Sequence, residues 1–194
     1  MKRPYLLLPA LALAVSLSAS TYSQAPPPKQ SLSDYEQRPG VVIVDGYTRI
    51  GTITNAHGAT LDVEAEQYAD TTGGAKLYGL SLTITEAQTG HTTNSTLVDY
   101  DEIAPLVAGL ETLGKLTDKS TSLQHFRASY KTRSGFLIFE ETGSIFLDKV
   151  YDDVQGRATN GTTRLSSLPL DLPDLAKLKE LCIAAKELID SKQK

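Results

Sequence analysis

The chain has 194 residues, a formal charge of −4, one Cys and no Trp, with 40% hydrophobic and 22% charged residues. That is an ordinary globular composition, long enough to bury a core and too mixed for a disordered, collagenous or disulfide-stapled chain. With Lys2 and Arg3 set aside, 17 basic residues stand against 23 acidic ones, a balance of −6 that disfavours general binding to nucleic acid or to an anionic membrane.

Met1, Lys2 and Arg3 make a basic tip, and residues 5–17 are apolar, uncharged and too few to span a bilayer. Small residues follow at Ser18-Ala19-Ser20 and at Ser23-Gln24-Ala25. This pattern predicts a signal peptide over 1–25, cleaved to leave a periplasmic or secreted bacterial protein that meets the membrane only through its leader. Residues 26–40 are rich in Pro, Ser and Gln and read as a flexible tether.

From 41 to 194 the pattern predicts a single α+β domain made of two repeats, about 41–118 and 119–194. Residues 41–44 form a β-branched run ended by Asp45-Gly46, a pair suited to a turn. Residues 47–54 alternate weakly up to Asn55-Ala56-His57-Gly58. In 59–68, Leu61, Val63 and Ala65 alternate with Asp62, Glu64 and Glu66, which describes a half-buried strand with its acids in water. After a turn at 70–74, Leu80, Leu82 and Ile84 mark another strand, and 96–98 a short edge strand.

Asp99 is placed to cap a helix, and Glu102 three residues on completes a capping box. Ile103, Leu106, Leu110 and Leu113 make its apolar stripe, while Gly109 and Gly114 leave room for a close neighbour. The cycle then restarts with predicted strands over 123–133, 136–141, 144–151 and 163–168. A second helix opens at Asp171, with Pro173 and Asp174 in its first turn and a stripe of Leu175, Leu178, Cys182, Ala185 and Ile189. The two helices superimpose at an offset of 72 positions, Asp99 on Asp171 and Leu110 on Cys182, which predicts an internal duplication of an antiparallel multi-strand sheet followed by one helix. Cys182 lies on the apolar stripe and reads as a buried, inert thiol.

The run Phe126 to Thr132, with Leu170-Asp171-Leu172 and the later Asp174-Leu175-Ala176-Lys177-Leu178, resembles an uncharacterised family of small exported bacterial proteins. That resemblance covers about the last half of the chain and implies no catalytic or binding residues. The repeated unit of strands and a helix also resembles the layout of Whirly and related single-strand-binding proteins, a likeness of fold that assigns no function.

No catalytic set, phosphate loop, zinc pattern or cofactor fingerprint is present. His57, His91 and His125 lack metal-type spacing and read as surface or packing histidines. Asp62, Glu64 and Glu66 read as a solvated strand face rather than a calcium site, and Asp99, Asp101 and Glu102 as helix-capping acids. The candidate ligand-binding residues are Arg127, Lys131 and Arg133, a basic stripe on a strand that matches the acidic strand 62–66 in repeat order. The two stripes form cross-strand ion pairs if the repeats set them side by side; on separate surfaces, the basic one suits an anionic ligand. The leading expectation is a non-enzymatic module that binds a protein, an envelope component or a small ligand through a sheet face or strand edge. Polyanion or single-stranded nucleic-acid binding on the basic face is the alternative, and a periplasmic hydrolase stands third.

Overall fold

The computed structural model describes residues 30–74, 76–87, 93–133, 135–141, 144–151 and 163–193. The expected signal peptide and His91 lie outside them. The chain is α+β, as its periodicities predict. A short helix α1 (Leu32–Glu36) precedes strands β1 (Ile43–Thr54), β2 (Thr60–Asp70), β3 (Leu77–Thr85) and β4 (Thr93–Asp99) and helix α2 (Tyr100–Leu113). Strands β5 (Arg127–Lys131), β6 (Phe136–Glu141), β7 (Ser144–Tyr151) and β8 (Thr163–Leu170) then lead into helix α3 (Leu172–Lys192). Each group of four strands forms its own antiparallel sheet in chain order.

The helices form where apolar residues recur every three or four positions. Ile103, Leu106, Leu110 and Leu113 of α2 are buried, as are Leu175, Leu178, Cys182, Ala185 and Ile189 of α3. They meet Leu61, Val63, Leu80 and Leu82 of the first sheet and Phe136, Ile138, Leu168 and Leu170 of the second in one continuous core. Burying each large aliphatic side chain contributes about 1.5–3 kcal/mol.

The helices are not confined to their own strands: α2 packs on β3 and β4 of the sheet it follows and also reaches the second sheet. Helix α3, which follows the second sheet in sequence, packs on β1, β2 and β3 of the first and against α2. Leu181 sits over Gly51, where a Cβ would lie 2.6 Å from its Cδ2. Helix α2 reaches across in turn to β5, where the Tyr130 ring seats on Gly109, 2.5 Å from where a Cβ would stand. Each helix–edge contact thus joins one large residue to one glycine, Leu181 of α3 to Gly51 of β1 and Tyr130 of β5 to Gly109 of α2. Lys186 and Asp190 of α3 grip Tyr100 at the start of α2: the Tyr100 hydroxyl donates to Asp190, and the Lys186 ammonium lies 3.1 Å from that hydroxyl.

Three expectations are corrected. The tether is structured from Ser31 onward: the Ser31 hydroxyl caps α1, and Leu32 and Tyr35 are buried against Tyr68, Ile43, Leu77 and Leu97 on the face of the first sheet away from α3. Three apolar and aromatic side chains suffice here because Gly79 lets Leu32 sit directly on the sheet. Asp45-Gly46 makes no turn; both residues lie within β1, opposite Tyr68 and Gln67 of β2. The turn into β1 is made instead at Gly40, whose φ is +76°, and the eleven-residue ladder with β2 overrides the local preference of Asp-Gly. The third is the cap of α2, where the Asp99 side chain makes no hydrogen bond to the amides of its own helix.

Candidate interaction site

The charged stripes do not meet. The acids of β2 belong to the first sheet and Arg127 and Lys131 to β5 of the second. Arg49 of β1 satisfies the acidic stripe: it stands directly across from Glu64, at 3.2 Å from its carboxylate and 3.9 Å from that of Asp62. Thr52, opposite Asp62, donates its hydroxyl to that carboxylate. In the sequence, Arg49 lies in the weakly alternating stretch 47–54, where the pattern does not say which face of the strand it takes.

Of the three basic candidates, Arg127 and Lys131 lie on the exposed face of β5, while Ala128 and Tyr130 point toward α2 and the core. Arg133, just past the strand, is drawn away into the acids that open α2. Its guanidinium reaches Asp101 at 2.7 Å, Asp99 at 3.1 Å and Glu102 at 3.5 Å, and its backbone N–H donates to Glu102 Oε1 at 2.8 Å. The expected capping box at Asp99 and Glu102 is therefore not formed. Asp99 accepts from Arg133 and from the Leu32 N–H that opens α1, at 2.8 Å. A charge-assisted pair outcompetes a hydrogen bond to the helix's own amides. At the N-cap of α3, Asp171 and Asp174 do form the box.

The face of the first sheet under α1 carries a second group of acids. The two-residue period sets Asp45, Tyr47 and Arg49 on one side of β1, opposite Tyr68, Glu66 and Glu64 respectively. Glu66 was expected in water and is only 6% exposed, closed in by α1 and Tyr47. Its Oε2 has no hydrogen-bond partner. Burial pushes its carboxyl up to about 8, and the hydrogen bond and negative charge of Asp45, with the charges of Glu64 and Glu36, push it the same way. Glu66 thus holds a proton at neutral pH. The neighbouring Asp70 behaves oppositely: the Thr72 hydroxyl and amide, then Arg38, hold its carboxyl below the usual range against the opposing effect of burial.

Strand β1 is the end strand of its sheet and borders this acidic corner. Every residue from Val44 to Arg49 is exposed, although the residues paired with them on β2 are half-buried or buried. Val42 and Tyr47 are each 68% exposed and Val44 51%. On the other face, a groove of about 270 Å³ runs between β1 and the C-terminal end of α3, lined by Thr48, Ala65, Gln67, Tyr78, Ile189 and Lys192 among others. Regular pairing with β2 breaks between Arg49 and Gly51, where Leu181 presses in.

Among the described residues, no catalytic geometry accompanies these features, and no three His, Cys, Asp or Glu side chains are gathered so as to hold a metal ion. His57 lies exposed in the turn after β1, its backbone N–H donating to Asn55, and His125 is exposed before β5. Cys182 is fully buried, which pushes its thiol up to about 12 and leaves no thiolate to react. No helix among the described residues is long and apolar enough to cross a membrane. Comparison with known protein families and with curated proteins returns no match for this chain.

Proposed function

We propose that this chain is an exported, non-enzymatic binding module whose working surface is the open edge of β1, and that it takes up an extended strand of a polypeptide partner there. The leader-like residues 1–25 support export. The observation that carries the reading is the edge itself. Strand β1 is twelve residues long, rich in β-branched residues, contains no Pro or Lys, and exposes Val44 and Tyr47, with Val42 exposed just before it. Edge strands that must stay solitary are usually short or guarded by Lys, Pro or inward-facing charge. An unguarded one supplies a row of backbone donors and acceptors for strand addition, and its alternate side chains supply selectivity.

The basic stripe supports polyanion binding less well, because Arg133 is neutralised by three carboxylates. Hydrogen–deuterium exchange on the full chain, mixed with a panel of strand-forming peptides, tests the edge. Peptides that bind are expected to slow exchange over 43–50, and a Val44→Lys, Tyr47→Lys variant to abolish the effect. Binding that leaves those amides unprotected, or that survives the double variant, would overturn the assignment.

A further inference from the structure

We infer that the strand which pairs with β1 is β1 of a second copy of this chain, in an antiparallel arrangement centred on Tyr47. This rests on the edge-binding role of β1 and adds the identity of its partner. Residues facing each other across an antiparallel pair lie on the same side of the sheet, so a twofold axis between two identical strands must pass through a pair of like residues. Three centres are available in the exposed part of β1.

Centring on Gly46 sets Asp45 against Tyr47 and leaves Arg49 facing Ile43. Centring on Thr48 sets Arg49 against Tyr47 and Asp45 against Gly51. Centring on Tyr47 sets Asp45 of each copy against Arg49 of the other, on the same face, with the two Tyr47 rings between them and Val44 against Ile50 on the opposite face. Only this register pairs both charges with opposite charges, and it pairs apolar with apolar on either side. It uses residues 45–49, the regular stretch that ends where β1 departs from its pairing with β2 after Arg49.

The acidic corner supplies an independent reason. The charged groups that act on the buried Glu66 are Asp45 from β1, Glu64 from its own strand and Glu36 from α1, and all are acidic. Residue 79, which faces Glu66 from β3, is a glycine and adds no charge. The Arg49 of the same chain is engaged on the far side with Glu64 and Asp62. Its side chain is 62% exposed and so can bridge outward to a second chain while keeping Glu64. Arg38 of this face is engaged with Asp70, and a partner's Arg49 brought opposite Asp45 places a cation beside the acids that surround Glu66.

The experiment is a set of single-site variants of the full chain, with molar mass read by light scattering on a sizing column and folding checked by circular dichroism. The native chain is expected to run as a dimer at micromolar concentration. Asp45→Arg and Arg49→Asp each place like charges across the axis, and each alone is expected to be monomeric. An equimolar mixture of the two is expected to dimerise, because the pairing then sets opposite charges together at both positions. Tyr47→Cys is expected to form a covalent dimer under mild oxidation, since directly opposed residues have Cα atoms about 4.5–5.5 Å apart, within disulfide reach. Val42→Cys should not, its two copies lying about ten residues, roughly 33 Å, apart.

A native chain that stays monomeric at hundreds of micromolar would overturn the inference. So would a dimer indifferent to both charge variants, or equal cross-linking at positions 42 and 47. A monomer whose 43–50 amides are still protected by an added peptide would overturn self-pairing while leaving edge binding intact; loss of both would overturn both.

Discussion

Gly109 and Glu66 show how single residues carry more than their local chemistry. In an exposed helix, Gly109→Ala would add about 1 kcal/mol of stability through propensity alone. Here the new methyl meets the Tyr130 ring at 2.5 Å. Overpacking of that kind costs about 1–3 kcal/mol, so we expect net destabilisation in denaturant titration, relieved by adding Tyr130→Leu. Glu66 gives a pH signature. Its folded carboxyl stands near 8 against an ordinary value of 4.5, so the folded state keeps a proton that the unfolded chain releases in between. Its contribution to stability therefore declines as pH rises from about 4.5 to 8 and levels off above that. Glu66→Gln is expected to flatten that slope and to melt at higher temperature than the native chain at pH 8, with the gap closing toward pH 4.5. Equal melting curves across this range would show that Glu66 titrates normally.

Among the elements, α1 and the residues just after it depend on contacts from two distant parts of the chain, Asp70 and Asp99. Asp99 accepts its first N–H, Tyr35 Oη accepts the Asp70 N–H, and Arg38 pairs with Asp70. Asp99→Ala thus removes the ligand of both α1 and Arg133 rather than a helix cap. We expect it to cost about 1–3 kcal/mol, and to speed amide exchange over 32–36. Asp171→Ala, which removes an ordinary capping box, is expected to cost about 1 kcal/mol and to leave α1 unaffected. The same local signal, an acid followed three residues later by another, thus opens both helices and does different work in each. Residues 99–102 and 171–174 read alike; only the arrival of Arg133 and Leu32 at the first distinguishes them.

At the scale of the molecule, the crossing of the helices ties the two sheets together. Helix α3 covers the first sheet and α2 seats Tyr130 of the second, so neither group of strands with its own following helix encloses a complete core. Residues 30–120 alone are expected to lack the face that α3 covers and to show no cooperative melting, whereas the whole chain should unfold in one calorimetric transition. Two separate transitions would show that the halves are independent.

The sequence by itself determined most of the elements, though neither α1 nor the unbroken course of β1. Alternation of Leu61, Val63 and Ala65, the spacing of Leu175, Leu178 and Cys182, and the turn glycines at 58 and 73 are local patterns, and local backbone preference with one-sided burial is enough to read them. It also placed Cys182 in the core, because the register of an apolar stripe says which side of a helix is dry. The tertiary structure decided which element each dry face meets: that α3 lies on the first sheet, that Arg133 claims Asp99, that α1 seals Glu66, and that β1 runs through Asp45-Gly46 to present an open edge. These follow from contacts between residues tens of positions apart, where long-range pairing and charge-assisted bonds outweigh preferences of a fraction of a kcal/mol in a single turn or cap.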